Sequence, residues 1–103
     1  MANNIKTLSN VEYAILDLLR TGQEKYGLEM VKESNGALKR GTIYVTLSRM
    51  VDKGYVTFRH VDNPNGAGPQ RCIYQIAGLG RRILLGQEQL EANIRGAFDY
   101  GYS

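Results

Sequence analysis

The sequence is poor in the residues that support disulfides, metal centres or a membrane span. Among its 103 residues Cys72 is the one cysteine, so an intrachain disulfide is impossible and a zinc site would lack ligands. No apolar run approaches the ~20 residues that span a bilayer. The polar segment Met1–Thr7 does not resemble a secretory signal. We therefore expect one compact cytoplasmic domain without a metal, a cofactor or a membrane attachment.

Acidic residues are also scarce in the middle of the chain. Residues 39–82 carry eight Lys and Arg against two Asp, whereas residues 1–38 and 83–103 each have a slight acidic excess. Between Gly36 and Val61 the only carboxylate is that of Asp52. Because phosphate groups repel carboxylates, this distribution favours a nucleic acid as partner. A solvated basic face without any partner would have the same composition.

The first half of the chain predicts three short helices. Ser9 and Glu12 have the spacing of a capping box at the start of the first helix. Residues 28–33 predict a second helix, with Leu28 and Val31 directed inward. A third helix is predicted from residues 40–42 to Lys53, where Gly54 ends it.

The second half changes to an alternating pattern and then returns to a helical one. Residues 56–61 and 71–76 predict two strands, joined by a polar loop over residues 62–70, and residues 79–98 predict a long helix. This order is that of a winged helix-turn-helix, a mainly α fold with three helices, a two-stranded wing and one C-terminal helix. We expect a DNA-binding unit in residues 1–78 and a dimerisation helix with a tail in residues 79–103, within one compact domain overall.

The third helix has two distinct faces. Ile43, Leu47 and Met50 fall on one side and predict a core stripe. The opposite side is formed by Thr42, Val45, Thr46, Arg49 and Lys53. Small, hydrogen-bonding and basic side chains suit a major groove about 12 Å wide, where Arg49 could contact guanine or phosphate. An ordinary amphipathic helix with a solvated outer face would show the same pattern.

The predicted hairpin adds basic and amide side chains that suit contacts with the DNA backbone or the minor groove. The DNA-binding set predicted from the residues is Lys39, Arg40, Thr42, Val45, Thr46, Arg49, Lys53, Arg59, Gln70 and Arg71.

The last helix predicts a homodimer. Its apolar stripe, made of Ile83, Leu90, Ile94 and Phe98, would be too exposed on a monomer. Two identical recognition helices would then face DNA about one helical turn apart, ~34 Å.

Two alternatives compete with DNA binding. An enzyme would need Cys72 as nucleophile with His60 nearby, but the sequence suggests no acid partner or oxyanion hole. A winged-helix module that binds protein instead of DNA is the second alternative, and the basic middle segment argues against it.

The segment from Arg40 to Val56 resembles the recognition-helix signature of the PadR family of transcriptional regulators. The likeness is carried by Gly41-Thr42-Ile43-Tyr44 and by the closing Lys53-Gly54, and it extends to Tyr26-Gly27 in the second helix. The resemblance implies a dimeric repressor that binds inverted-repeat operators, with Thr42 and Tyr44 on the DNA backbone, and so adds Tyr44 to the predicted DNA-binding set. It also implies a small aromatic effector. Val45 stands where the family often has Pro, and Ala77-Gly78 replaces the usual Thr at the entrance of the last helix.

Overall fold

The computed structural model describes residues 8–62 and 71–100, the last six of them by their backbone alone. The elements, in chain order, are α1 (Asn10–Leu18), β1 (Lys25–Tyr26), α2 (Gly27–Glu33), α3 (Ile43–Asp52), β2 (Val56–Val61), β3 (Arg71–Ile76) and α4 (Gly78–Tyr100). This arrangement confirms the predicted fold class, with three helices, a β-hairpin and a long final helix. None of the helices in the described residues combines the length and apolarity needed to cross a bilayer.

The ends of α1 and α3 follow the signals that predicted them. Ser9 Oγ accepts a hydrogen bond from the Glu12 amide at 3.1 Å, and Glu12 Oε1 accepts one from the Ser9 amide at 3.0 Å. This capping box satisfies two amide groups that the first turn of a helix leaves without partners. Gly54 ends α3 with a φ of 80°, a backbone conformation that glycine adopts without a steric penalty.

The core lies where the inner faces of the helices meet one face of the sheet. The fully buried side chains include Ile15, Leu16, Leu19, Met30, Ile43, Leu47, Met50, Val56 and Leu84. The three from α3 are spaced by four and then three residues, so they form a single stripe, as predicted. Leu84 comes from α4, so the beginning of that helix belongs to the same core as the rest of the chain.

The sheet has three strands in the order β1-β3-β2. The hairpin register pairs Phe58 with Tyr74 and Arg59 with Ile73. Strand β1 was not predicted, because two residues are too short to show an alternating pattern. In β1, Tyr26 pairs with Ile73 of β3, and this pairing fixes the start of α2 against the wing.

The predicted inward position of Leu28 is wrong. Leu28 is 44% exposed, whereas Met30 is fully buried and Val31 packs partly against the core. The buried face of α2 is formed by Gly27 and Met30, one turn apart, so Leu28 is directed away from the core.

Gly80 allows a close backbone contact, although glycine is a poor helix former. A Cβ atom at this position would lie 2.0 Å from the carbonyl oxygen of Tyr55. The same carbonyl accepts a hydrogen bond from the Ala77 amide at 2.9 Å. The first turn of α4 therefore lies directly on the backbone that links α3 to β2, and only glycine permits this approach.

We expect Gly80→Ala to reduce the free energy of unfolding by about 2 kcal/mol or more, because the added methyl group would force two backbone segments apart. Gly86→Ala is the matched control in the same helix, since a Cβ atom there meets nothing within 4 Å. The control should be neutral or more stable by up to about 1 kcal/mol. Urea denaturation measures both, and equal stability of the two variants would contradict the proposed contact.

Candidate nucleic-acid interface

The outer face of α3 presents the side chains that the sequence assigned to DNA. Tyr44 and Val45 are 48% and 54% exposed, Arg49 is exposed, and Thr46 is half-buried. Thr42 is exposed at the N-cap position, where its side chain makes no capping hydrogen bond. The only carboxylate in α3 is that of Asp52, the last residue of the helix. This face is therefore uncovered and carries almost no acidic charge.

Tyr44 is held in place by a glycine that faces it. A Cβ atom on Gly27 would lie 2.7 Å from Cε1 of the Tyr44 ring, so the ring rests directly on the backbone at the start of α2. The sequence showed the Tyr26-Gly27 step but gave no sign of its partner in α3. This contact fixes the direction of the Tyr44 hydroxyl relative to the two helices.

An open cavity of about 530 Å³ adjoins Tyr44. Its lining consists of Tyr26, Leu28, Glu29, Tyr44, Arg71, Cys72 and Tyr74. The Arg71 guanidinium lies 5.7 Å from the centre of the Tyr26 ring, a distance at which a cation is attracted to an aromatic face. The structure thus brings Arg71 of the wing next to Tyr44 of α3, two members of the predicted DNA-binding set.

The two faces of the wing carry different chemistry. Paired residues and residues two positions apart share a sheet face, so Arg59, Ile73 and Arg71 lie on one face. The other face carries Phe58 and Tyr74, whose ring centroids lie 6.1 Å apart across the strands. Phe58 is therefore a cross-strand partner of Tyr74.

Cys72 and His60 lie on this second face and are directly paired. Cys72 Sγ and His60 Nδ1 are 3.6 Å apart. Within residues 8–62 and 71–100, no cluster of three His, Cys, Asp or Glu side chains could hold a metal ion. The pair alone provides neither the acid nor the oxyanion donors that nucleophilic catalysis needs.

Lys53 is tied to the first helix. Its Nζ lies 2.6 Å from Oε2 of Glu12, the same carboxylate that completes the capping box of α1. Burial would raise the pKa of Glu12, but the hydrogen bonds from Lys53 and Ser9 outweigh it and hold this pKa below its usual value. The carboxylate therefore joins the end of α3 to the start of α1, and Lys53 is already neutralised within the chain.

Arg59 is also paired with a carboxylate. Its Nε and Nη2 atoms donate to the two carboxylate oxygens of Glu24 at 2.7 and 2.8 Å. These hydrogen bonds lower the pKa of Glu24, and they raise that of Arg59. The sequence could not reveal either ion pair, because the partners are 41 and 35 residues apart in the chain.

Three of the other predicted basic residues make no ion pair in the described part of the chain. Lys39, Arg40 and Arg49 are exposed and make no ion pair there. Gln70, the remaining member of the set, lies outside the described residues.

The stripe predicted for dimerisation runs from the core to the exposed end of α4. Ile83 packs partly against the chain's own core, Leu90 is half-buried and Ile94 is 50% exposed. Phe98 lies in the helix, but its side chain is outside the described residues. Glu88 ties α4 to α1, since it accepts hydrogen bonds from Arg20 and, at 2.6 Å, from the Tyr13 hydroxyl. The apolar stripe therefore extends beyond the part of α4 that is fixed to the domain.

The comparisons with known proteins agree with this geometry. The model of the transcriptional regulator PadR-like family matches residues 15–85. Bacillus subtilis PadR, solved in complex with operator DNA, is 28% identical, with a TM-score of 0.66 over 74% of this chain and 45% of that one. The present chain thus spans less than half the length of that protein. No match was found among curated proteins.

Two further solved structures share the fold over nearly their whole length. A PadR family transcription regulator from Clostridium difficile is 23% identical, with a TM-score of 0.72 over 92% of this chain and 100% of that one. A PadR-like transcriptional regulator from Bacillus cereus is 24% identical, with a TM-score of 0.67 over 86% of this chain and 87% of that one. Each has a length similar to that of the present chain.

We expect Glu12→Gln to lower the free energy of unfolding by about 1–2 kcal/mol at pH 7, since it removes the charge that binds Lys53 and weakens the cap. The pKa of Glu12 is lowered in the folded state, so its contribution is present above the ordinary value of 4.5 and is lost as the pH falls. The difference between the variant and the wild type should therefore shrink towards pH 3.

Denaturation curves recorded across this pH range test the prediction. Glu91→Gln is the control, because Glu91 is exposed on α4 and makes no ion pair within the described residues. It should change stability by less than about 0.5 kcal/mol. A Glu12→Gln protein as stable as the control at pH 7 would show that the ion pair does not hold the two helices together.

Proposed function

The chain belongs to the PadR-like family of transcriptional regulators, and from this membership we propose that it binds double-stranded operator DNA through α3 and the wing. The observation that carries the proposal is the outer face of α3, where Tyr44, Val45 and Arg49 are exposed and carboxylates are nearly absent. The operator complex of Bacillus subtilis PadR supports the same partner. The family consists of transcription regulators and not of enzymes, so the catalytic alternative based on Cys72 is dropped.

In this proposal the residues of the interface have separate tasks. Arg49 reads a base edge, while Thr42 and Tyr44 contact the backbone at the start of the recognition helix. Arg71 contacts the flanking backbone from the wing, and Lys39 and Arg40 add positive charge before α3. Lys53 and Arg59 are held by carboxylates, so they reach phosphate only if those ion pairs open.

We further propose that the regulator is a cytoplasmic homodimer that represses genes behind inverted-repeat operators. A twofold axis in the dimer matches the symmetry of such an operator. The exposed end of α4, with Leu90 and Ile94, supplies the apolar surface for the second copy. Residues 1–78 then form the DNA-binding unit and residues 79–103 the dimerisation helix and its tail.

A small aromatic effector stays a prediction of the family resemblance. The cavity beside Tyr44 has the volume of a ligand pocket and three tyrosines in its lining. Because Tyr44 belongs to both the cavity and the DNA-binding set, a compound bound there would compete with the operator.

We expect Arg49→Ala to weaken operator binding by about 1–3 kcal/mol and to relax the preference at one base pair, because a bidentate contact to guanine would be lost. Arg82→Ala removes the same charge from an exposed position on α4 and should cause a smaller loss that is equal for all sequences. Binding to an operator selected from a random duplex library, and to a scrambled duplex, measures both effects.

Two outcomes would count against this assignment. An Arg49→Ala variant that binds the operator as tightly as the wild type would remove Arg49 from the interface. If the wild type bound no duplex even at low salt, a protein partner would become the better explanation of the winged helix.

The proposed dimer can be tested by substituting two apolar residues that lie on opposite sides of α4. Ile94 and Leu85 are 50% and 52% exposed, and their separation of nine residues places them about 180° apart on a helix. Ile94→Asp should convert the dimer into a monomer, since it places a charge in the interface, whereas Leu85→Asp should leave the dimer intact. Sedimentation equilibrium measures the mass, and dissociation by Leu85→Asp alone would place the interface on the other face.

A further inference from the structure

The ion pair between Glu24 and Arg59 occupies one of the two edges with which an arginine binds phosphate. Arginine holds a carboxylate or a phosphate through two parallel N–H donors. In this chain those donors are Nε and Nη2 of Arg59, and both are directed at the carboxylate of Glu24. This edge cannot hold Glu24 and a DNA phosphate at once, and a phosphate on the remaining edge would lie beside the charge of the Glu24 carboxylate.

The backbone places this carboxylate where it can compete. Arg59 lies in β2, and Glu24 directly precedes β1 at the far edge of the three-stranded sheet. Tyr26 and Arg59 both pair with Ile73, so Glu24, two residues before Tyr26, lies on the sheet face that also carries Arg59 and Arg71. Glu24 is thus an acidic side chain on the basic face of the wing.

The Glu24–Arg59 ion pair is exposed enough for Arg59 to exchange Glu24 for another anion. The side chains of Arg59 and Glu24 retain 61% and 33% of their exposure to solvent. Ion pairs this accessible to water are weak and are screened by salt. The dense negative charge of a DNA backbone can therefore draw Arg59 away from Glu24, but the freed carboxylate is then left beside the phosphates.

We propose that Glu24 is an internal competitor of DNA phosphate for Arg59, and that it lowers the affinity of the wing for DNA of any sequence. This inference rests on the proposed DNA binding. While Arg59 stays paired with Glu24 it neutralises no phosphate, so the wild type releases about one counterion fewer than a protein with a free arginine at this position. Glu24 thereby limits binding that depends on charge alone and leaves the contacts of α3 unchanged.

Glu24→Gln tests the proposal, with Asp17→Asn as the matched control. Asp17 of α1, outside the predicted interface, is also an exposed carboxylate paired with an arginine. Arg20 Nη2 lies 2.7 Å from its Oδ1, and Arg20 also binds Glu88. Both substitutions remove one negative charge, so they change the net charge of the protein equally. Fluorescence anisotropy with a labelled duplex of scrambled sequence, recorded from about 50 to 300 mM salt, gives affinity and salt dependence together.

We expect Glu24→Gln to tighten binding by about three- to tenfold near 100 mM salt and to steepen the salt dependence by about one ion. Asp17→Asn should change the affinity by less than about twofold, because its charge is farther from the DNA and screened. In a protein that also carries Arg59→Ala, the gain from Glu24→Gln should fall to the level of the control.

The possible results separate the two proposals. A gain from Glu24→Gln that equals the gain from Asp17→Asn, or one that persists without Arg59, would overturn the competition between Glu24 and phosphate while DNA binding stands. Absence of duplex binding by the wild type and by Glu24→Gln at the lowest salt would overturn the proposed function, and this inference with it.

Discussion

The candidate interface depends on the burial of one side of α3. Ile43, Leu47 and Met50 are almost completely removed from solvent, and their apolar surface is the main force that orients the helix. With this stripe fixed inward, the helical period determines that Val45 and Arg49 face outward. No contact on the outer face is needed to aim these side chains. Val45 and Arg49 are therefore free to be selected for a partner, because the buried stripe already sets their direction.

The second constraint is the close contact between α4 and the rest of the chain. Gly80 lies against the Tyr55 carbonyl, and Leu84 enters the core one turn later. Farther along, Glu88 holds the helix to Tyr13 of α1 and to Arg20, just beyond the end of α1. These contacts fix the direction in which α4 leaves the domain. In a dimer formed by the end of this helix, the same contacts would set the distance between the two recognition helices.

Periodicity predicted the parts of the fold that are long enough to display it. The ten residues of α3 and the six-residue strands β2 and β3 were placed nearly to the residue, because their apolar side chains repeat within each element. The outward direction of Arg49 followed from the same pattern. Strand β1, the exposure of Leu28 and the role of Gly80 depend on partners far away in the chain. A local pattern contains no information on such contacts, so the sequence could not predict them.

The ion pairs show most clearly which contacts a local sequence pattern cannot predict. The sequence placed an excess of basic residues in the middle segment and an excess of acidic residues in the first. Folding brings the two segments together, so that Glu12 and Glu24 of the first neutralise Lys53 and Arg59 of the second. The positive field that a DNA duplex would meet is therefore weaker than the segment's composition indicates. Within the described residues, it is greatest where no carboxylate binds the cation, around Arg49 and the residues that precede α3.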